Sequence, residues 1–134
     1  MSFPEKTLII LLRLGGTAMS LAFLAIFLPV PTMASIHEAV GLGEFPAAPI
    51  TDYLSRSIAA LYGFHGVLLW IVSTDIKRFA PLVVYAGVMN IVFGTMLTAI
   101  DLYAGMPPWW TLGEGPPVIV TGGLILFLLR RSRD

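Results

Sequence analysis

The chain has no cysteine and only two histidines, His37 and His65. The first absence excludes disulfides, thiolate nucleophiles and Cys-ligated zinc or iron–sulfur centres. The second leaves too few imidazoles for a zinc site, and no acidic run has metal-motif spacing, so no metal is expected. Charge is also sparse: Asp, Glu, Lys and Arg make up 12% of 134 residues, eight of each sign, for a formal net charge of zero. Without a basic stripe, nucleic acid is not an expected partner. There is no internal repeat, no low-complexity tract and no nucleotide-binding glycine pattern; Gly41-x-Gly43 follows no strand and reads as a flexible loop.

What the chain does have is apolar length. Hydrophobic residues are 57% of it and the mean hydropathy is +0.86, outside the balance of a soluble domain. A helix rising about 1.5 Å per residue needs about 20 apolar residues to cross a hydrocarbon core of roughly 30 Å. Four such stretches are expected, at about 7–28, 52–73, 81–103 and 115–130, and they consume most of the sequence. The expected fold is an all-α, integral membrane four-helix bundle forming a single transmembrane domain over residues 1–134. Thr32-Met33-Ala34 resembles a signal-peptide cleavage site, but the apolar run from Thr7 to Val30 exceeds a typical signal core and is interrupted by Arg13, so it reads as a span.

The eight basic residues predict an orientation. Lys6 and Arg13 enter the first span, Lys77 and Arg78 separate the second from the third, and Arg130, Arg131 and Arg133 follow the fourth. Residues 29–51 and 104–116 contain no Lys or Arg. By the positive-inside rule both termini are cytoplasmic, in a bacterial-type inner membrane. Arg56 alone breaks the bias.

Local signals place the boundaries. Ser2, Pro4 and Glu5 suit a helix cap and first turn. Gly15, Ala18, Ala22 and Ala25 predict a small-residue packing strip on the first span, and Arg13 is expected to snorkel to the headgroups. Pro29 and Pro31 end that span. In the first external loop, Ser35-Ile36-His37-Glu38 matches a capping box, predicting a short interfacial helix to about Leu42. Trp109 and Trp110 suit an aromatic belt. The fourth span, taken to start at Gly115-Pro116-Pro117, is expected to be the shortest.

Intramembrane polar residues are costly and therefore each needs a cause. Folding the second and third spans about Lys77 and Arg78 brings His65 and Asn90 to equal depth. They are expected to hydrogen-bond, or His65 contacts a ligand such as quinone; haem ligation would need His37 as the second ligand. Gly87, Asn90, Gly94, Leu97 and Asp101 share one face of the third span. Arg56 requires an acidic partner among Asp52, Asp101, Glu114 and Glu38, which predicts a structural network of Glu38, Asp52, Arg56 and Asp101. The same outer residues contain the parts of an acid–base site: Arg56, Asp101, Glu114 and His37 are the catalytic candidates.

Arg13-Leu14-Gly15-Gly16 in the first span, followed by an outer loop and three more spans, resembles the DoxX-type family of small four-helix membrane proteins. That resemblance implies association with membrane-bound redox complexes and quinone-linked chemistry; it carries no active-site residue over. The function expected is that of a scaffold or accessory subunit, binding membrane lipid or quinone between helices, with a membrane-protein partner or a second copy of itself and no tightly held cofactor. The alternative is a small intramembrane enzyme with an acid–base site at the outer leaflet.

Overall fold

The structure is a computed structural model describing residues 1–133. Its elements are α1 (Phe3–Ser20), α2 (Phe23–Ile26), α3 (Val30–Ala39), α4 (Pro49–Val72), α5 (Ala80–Ala104) and α6 (Pro108–Arg131). Among the described residues there is no strand. Four helical stretches are long and apolar enough to cross a membrane: α1 continuing through α2 to Ile26, then α4, α5 and α6. The protein is thus an all-α chain with the spans of a four-helix membrane protein, and large side chains such as Leu61, Phe64, Leu102 and Phe127 stand exposed along them, as they must where lipid is the solvent.

The chain divides into two compact units, residues 1–12 with 72–134, and residues 13–71. In the first, the N-terminus closes with a capping box. Ser2 N–H donates to Glu5 Oε2 at 2.7 Å and Glu5 N–H to Ser2 Oγ at 3.4 Å, so each satisfies an orphan of the other's. Glu5 is buried and also receives Lys77 Nζ at 2.8 Å, which holds the Lys77 ammonium above its ordinary pKa. In the same unit Leu8, Leu12, Val72, Val83, Ile125 and Leu129 are buried and make up its apolar core. Asp75 shapes the turn before α5 by accepting the Arg78 N–H at 3.0 Å.

Helices α5 and α6 form an antiparallel hairpin joined by residues 105–107, and glycine sets how near they come. Gly87 faces Gly122 and Gly94 faces Gly115. A methyl built on Gly122 would lie 2.5 Å from the Gly87 carbonyl oxygen, and one on Gly94 would lie 2.7 Å from that of Gly115. No side chain fits between backbones at that spacing. The face predicted for α5 is therefore the one that packs: Gly87, Gly94 and Asp101 are buried and Asn90 and Leu97 half-buried.

Helix α6 corrects the expectation of a short fourth span starting at Gly115. It is 24 residues long, begins at Pro108 after Pro107, and carries Pro116 and Pro117 inside it. The sequence holds two Pro-Pro pairs, and the true start is the earlier one, where the missing N–H groups are orphans in any case. The later pair removes two intrahelical donors from a helix that the α5 contact already holds in place.

In the second unit α1 and α4 cross at glycine as well. Gly16 and Gly66 are both buried; a methyl on Gly66 would lie 2.5 Å from the Gly16 carbonyl oxygen and 2.6 Å from Ser20 Oγ. Gly63 is open to the Phe23 ring, which packs edge-on against Phe64 at 5.2 Å. The packing face thus runs through Gly16, Ser20 and Phe23. The predicted strip of Gly15, Ala18, Ala22 and Ala25 is a correction: Gly15 makes ordinary contact with Leu69 and Ala18 is exposed, because a step of one residue turns a helix by about 100°. Arg13 lies over the Trp70 ring at 5.2 Å, and Trp70 Nε1 donates to Thr17 Oγ1 at 3.0 Å.

The loop helix starts earlier than its predicted capping box. α3 begins at Val30 with Pro29 at the N-cap and Pro31 in its first turn. Ser35 lies within it and donates back to the Pro31 carbonyl at 2.9 Å, so the Ser35–Glu38 box does not form.

The glycine contacts predict opposite effects for one chemical change. Gly94→Ala should destabilise the protein by about 1–3 kcal/mol, the usual cost of overpacking. Gly113→Ala, at an α6 position where a methyl meets nothing within 4 Å, should be neutral or stabilise by up to about 1 kcal/mol. Thermal unfolding in detergent, followed by circular dichroism, distinguishes them; equal effects would show that the hairpin does not depend on backbone approach.

Candidate functional site: a buried carboxylate at the α5–α6 turn

α5 ends in a Schellman motif. Gly105 takes a left-handed conformation at φ 69°, Met106 N–H donates to the Asp101 carbonyl at 2.9 Å, and Gly105 N–H donates to the Leu102 carbonyl. This left-handed position favours glycine. The motif fixes Asp101 one heptad beyond Gly94 on the packed face, where it is 5% exposed. Its Oδ2 is buried and has no hydrogen-bond partner among the described residues.

The first turns of α6 bring further polar groups to this end of the hairpin. Thr111 is buried, and its Oγ1 is likewise without a partner. Glu114 is half-buried and accepts Trp110 Nε1–H at 2.8 Å; its carboxyl group interacts with that of Asp101. Trp109 packs edge-on against Trp110 at 5.8 Å. Two carboxyl groups, a hydroxyl and an indole donor therefore collect where α5 hands over to α6. Buried polar atoms left unpaired cost about 1–3 kcal/mol each, so Asp101 Oδ2 and Thr111 Oγ1 carry a cost that no bond among the described residues offsets.

The remaining candidates have other employment. Arg56 Nε donates to Asp52 Oδ1 at 2.8 Å, one turn earlier on α4. Its Nη1 donates to the Ile26 carbonyl, and its Nη2 to the Leu28 carbonyl at 3.1 Å. The acidic partner is Asp52, from its own helix. Of the predicted network, the Arg56–Asp52 pair is present, and it caps the end of the first span. Its cause is visible in the backbone: from Ala22 onward the chain tightens to three-residue hydrogen bonds, leaving terminal carbonyls that a helix cannot satisfy itself.

His37 is a loop staple. Its Nδ1–H donates to the Gly43 carbonyl at 2.9 Å and its ring packs edge-on against Phe45 at 5.5 Å. Glu38 is exposed. His65 is half-buried, and its buried Nε2 has no hydrogen-bond partner among the described residues. Asn90 is half-buried on the glycine face of α5.

Thr111 escaped the sequence reading because it fell in a stretch assigned to loop; a helix begun at Pro108 would have set it three residues before Glu114, on one face. The Glu5–Lys77 pair was also missed, since each residue already had a local explanation. Among the described residues, no three His, Cys, Asp or Glu gather as a metal-binding group. The chain matches no protein-family model, no curated protein and no solved structure.

Arg56→Ala should lower thermal stability markedly, by about 1–3 kcal/mol for each carbonyl stranded away from water. Asp52→Asn should cost far less, about 0.5 kcal/mol, because an ion pair one helical turn apart contributes little and an amide oxygen can still accept from Arg56. Equal losses would mean that the ion pair, not the carbonyl clamp, is what matters. Asp101→Leu should leave stability unchanged or raise it, by removing a buried polar group with an unpaired oxygen; a loss above about 1 kcal/mol would show that the carboxyl group is a structural partner.

Proposed function

We propose that this protein is a non-catalytic scaffold or accessory subunit of a membrane complex, with lipid or quinone held between its helices. The observation that supports this is the employment of Arg56. The one cation that an outer acid–base site would use to hold an anion is spent on Asp52 and two helix-end carbonyls, and His37 is spent on a loop carbonyl. A structural assignment for both leaves the enzyme reading without its anion holder and its histidine. Quinone association, which the DoxX resemblance implies, fits the unpaired Nε2 of His65, a group able to hydrogen-bond a quinone carbonyl.

A second reading, a small enzyme working at the outer leaflet, is favoured by a separate observation: the unpaired oxygens of Asp101 and Thr111 beside Glu114. Closely placed carboxyl groups in a site of low dielectric are the usual means of separating an acid from a base. Purification in mild detergent, with mass spectrometry of co-purifying proteins and lipids, tests the two. A scaffold should bring a partner chain at fixed stoichiometry, unaffected by Asp101→Asn. A chain that purifies alone and loses activity in the membrane with Asp101→Asn would favour the enzyme.

The proposed orientation follows from charge: both termini in the cytoplasm of a bacterial-type inner membrane. Single cysteines placed at Gly41 and Gly105 should react with an impermeant thiol reagent added outside, and one at Ser132 should not. The reverse pattern would invert the topology.

A further inference from the structure

We infer that the end of the hairpin opposite Asp101 holds a binding site for the phosphate of an anionic phospholipid. A cavity of about 330 Å³ opens there, lined by Ile76, Lys77, Ala80, Leu129, Ser132 and Arg133. Its composition is two-sided. Ile76 and Leu129, each 5% exposed, and Ala80 give an apolar floor continuous with the spans. Lys77 and Arg133 supply two cations at the rim, and the cavity lies where α5 begins and α6 has just ended. That is the level at which a headgroup meets its acyl chains. A soluble anion would use the rim alone; a phospholipid uses rim and floor together.

The two cations are not equivalent. Lys77 is tied to Glu5 at 2.8 Å, which positions its ammonium and leaves further N–H donors free. Arg133 takes no ion pair among the described residues, and its guanidinium is suited to grip two phosphate oxygens at once. An adjoining cavity of about 320 Å³ shares Ile76 and Lys77 but is lined by Glu5 and Asp75. Its acids repel a phosphate, so the anion is directed to the Arg133 side. Basic pockets between membrane helices bind lipid phosphates by this combination. The inference needs only membrane residence and stands whether or not the protein is a scaffold.

The test is native mass spectrometry and thermal unfolding of the full chain in neutral detergent, titrated with phosphatidylglycerol, phosphatidylcholine or inorganic phosphate. Phosphatidylglycerol should bind saturably and raise the unfolding temperature, and phosphatidylcholine should do neither at the same concentration. Arg133→Gln should weaken phosphatidylglycerol binding about tenfold, the loss of a charge-assisted hydrogen bond. Arg130→Gln removes the same charge from a residue outside the cavity and should leave affinity within about twofold of the unmodified chain. Equal weakening by the two substitutions would reduce the effect to general charge attraction and overturn the site. Inorganic phosphate reproducing the whole stabilisation would overturn the lipid as its ligand. Failure of all three probes with partner co-purification intact would remove this site and leave the scaffold reading standing.

Discussion

Helices in lipid gain nothing by hiding apolar side chains from one another, since the tails around them are as apolar as leucine, and close approach of backbones must supply what the hydrophobic effect cannot. Everything else in this chain is arranged around that approach. Gly87 against Gly122 and Gly94 against Gly115 bring α5 and α6 together; Gly16 against Gly66 does the same for α1 and α4. The paired contacts on α5 and α6 are one heptad apart on each helix, so the same seam stays in register over two turns. Larger side chains then serve as walls beside the seam: Ile91 and Ile119 flank the α5–α6 contact, and Phe23 covers Gly63.

The second requirement is that no backbone group be left bare where water cannot reach it. The ends of the spans show how this chain meets it. α1 opens with the Ser2–Glu5 box, α5 closes with Gly105, and the first span closes with a borrowed side chain, the Arg56 guanidinium reaching from α4 to Ile26 and Leu28. An arginine on the side that the charge bias leaves empty is explained by this: a planar, permanently charged fork can satisfy two carbonyls and a carboxylate at once, whereas lysine offers a point charge.

Much of the architecture was readable because apolar length and charge placement act over many residues. Four spans, the short turn at Lys77 and Arg78, and the inward face of α5 depend on patterns that a single misread residue does not destroy. Boundaries and faces were harder, because there one residue decides. The α6 start turned on which of two Pro-Pro pairs was used, and the α1 packing face on Gly16 in place of Gly15. Asp101 is visible in the sequence as a face residue, but the lack of a partner for its Oδ2 depends on side-chain geometry that no spacing rule reports. Arg56 stands out in the sequence because it alone breaks the charge bias, but carbonyl acceptors carry no signature there, so a sequence points only to carboxylates.

That contrast separates the two ends of the α5–α6 hairpin. At the Lys77 end the buried acid, Glu5, is fully engaged by a cation and by its own helix cap. At the Asp101 end an acid of similar burial interacts with a second carboxyl group and keeps one oxygen without a partner. The two carboxyl groups are similarly buried, Glu5 at 6% and Asp101 at 5% exposure, so burial alone does not make the difference. A chain that satisfies a buried carboxylate at one end has the means to do so at the other. Replacing Asp101 by an apolar residue would remove the cost altogether, and the glycine seam, which ends at Gly94 and Gly115, does not need a carboxylate beyond it. The unpaired oxygens of Asp101 and Thr111 are therefore the feature that packing cannot account for, and the place where a requirement other than stability acts on this fold.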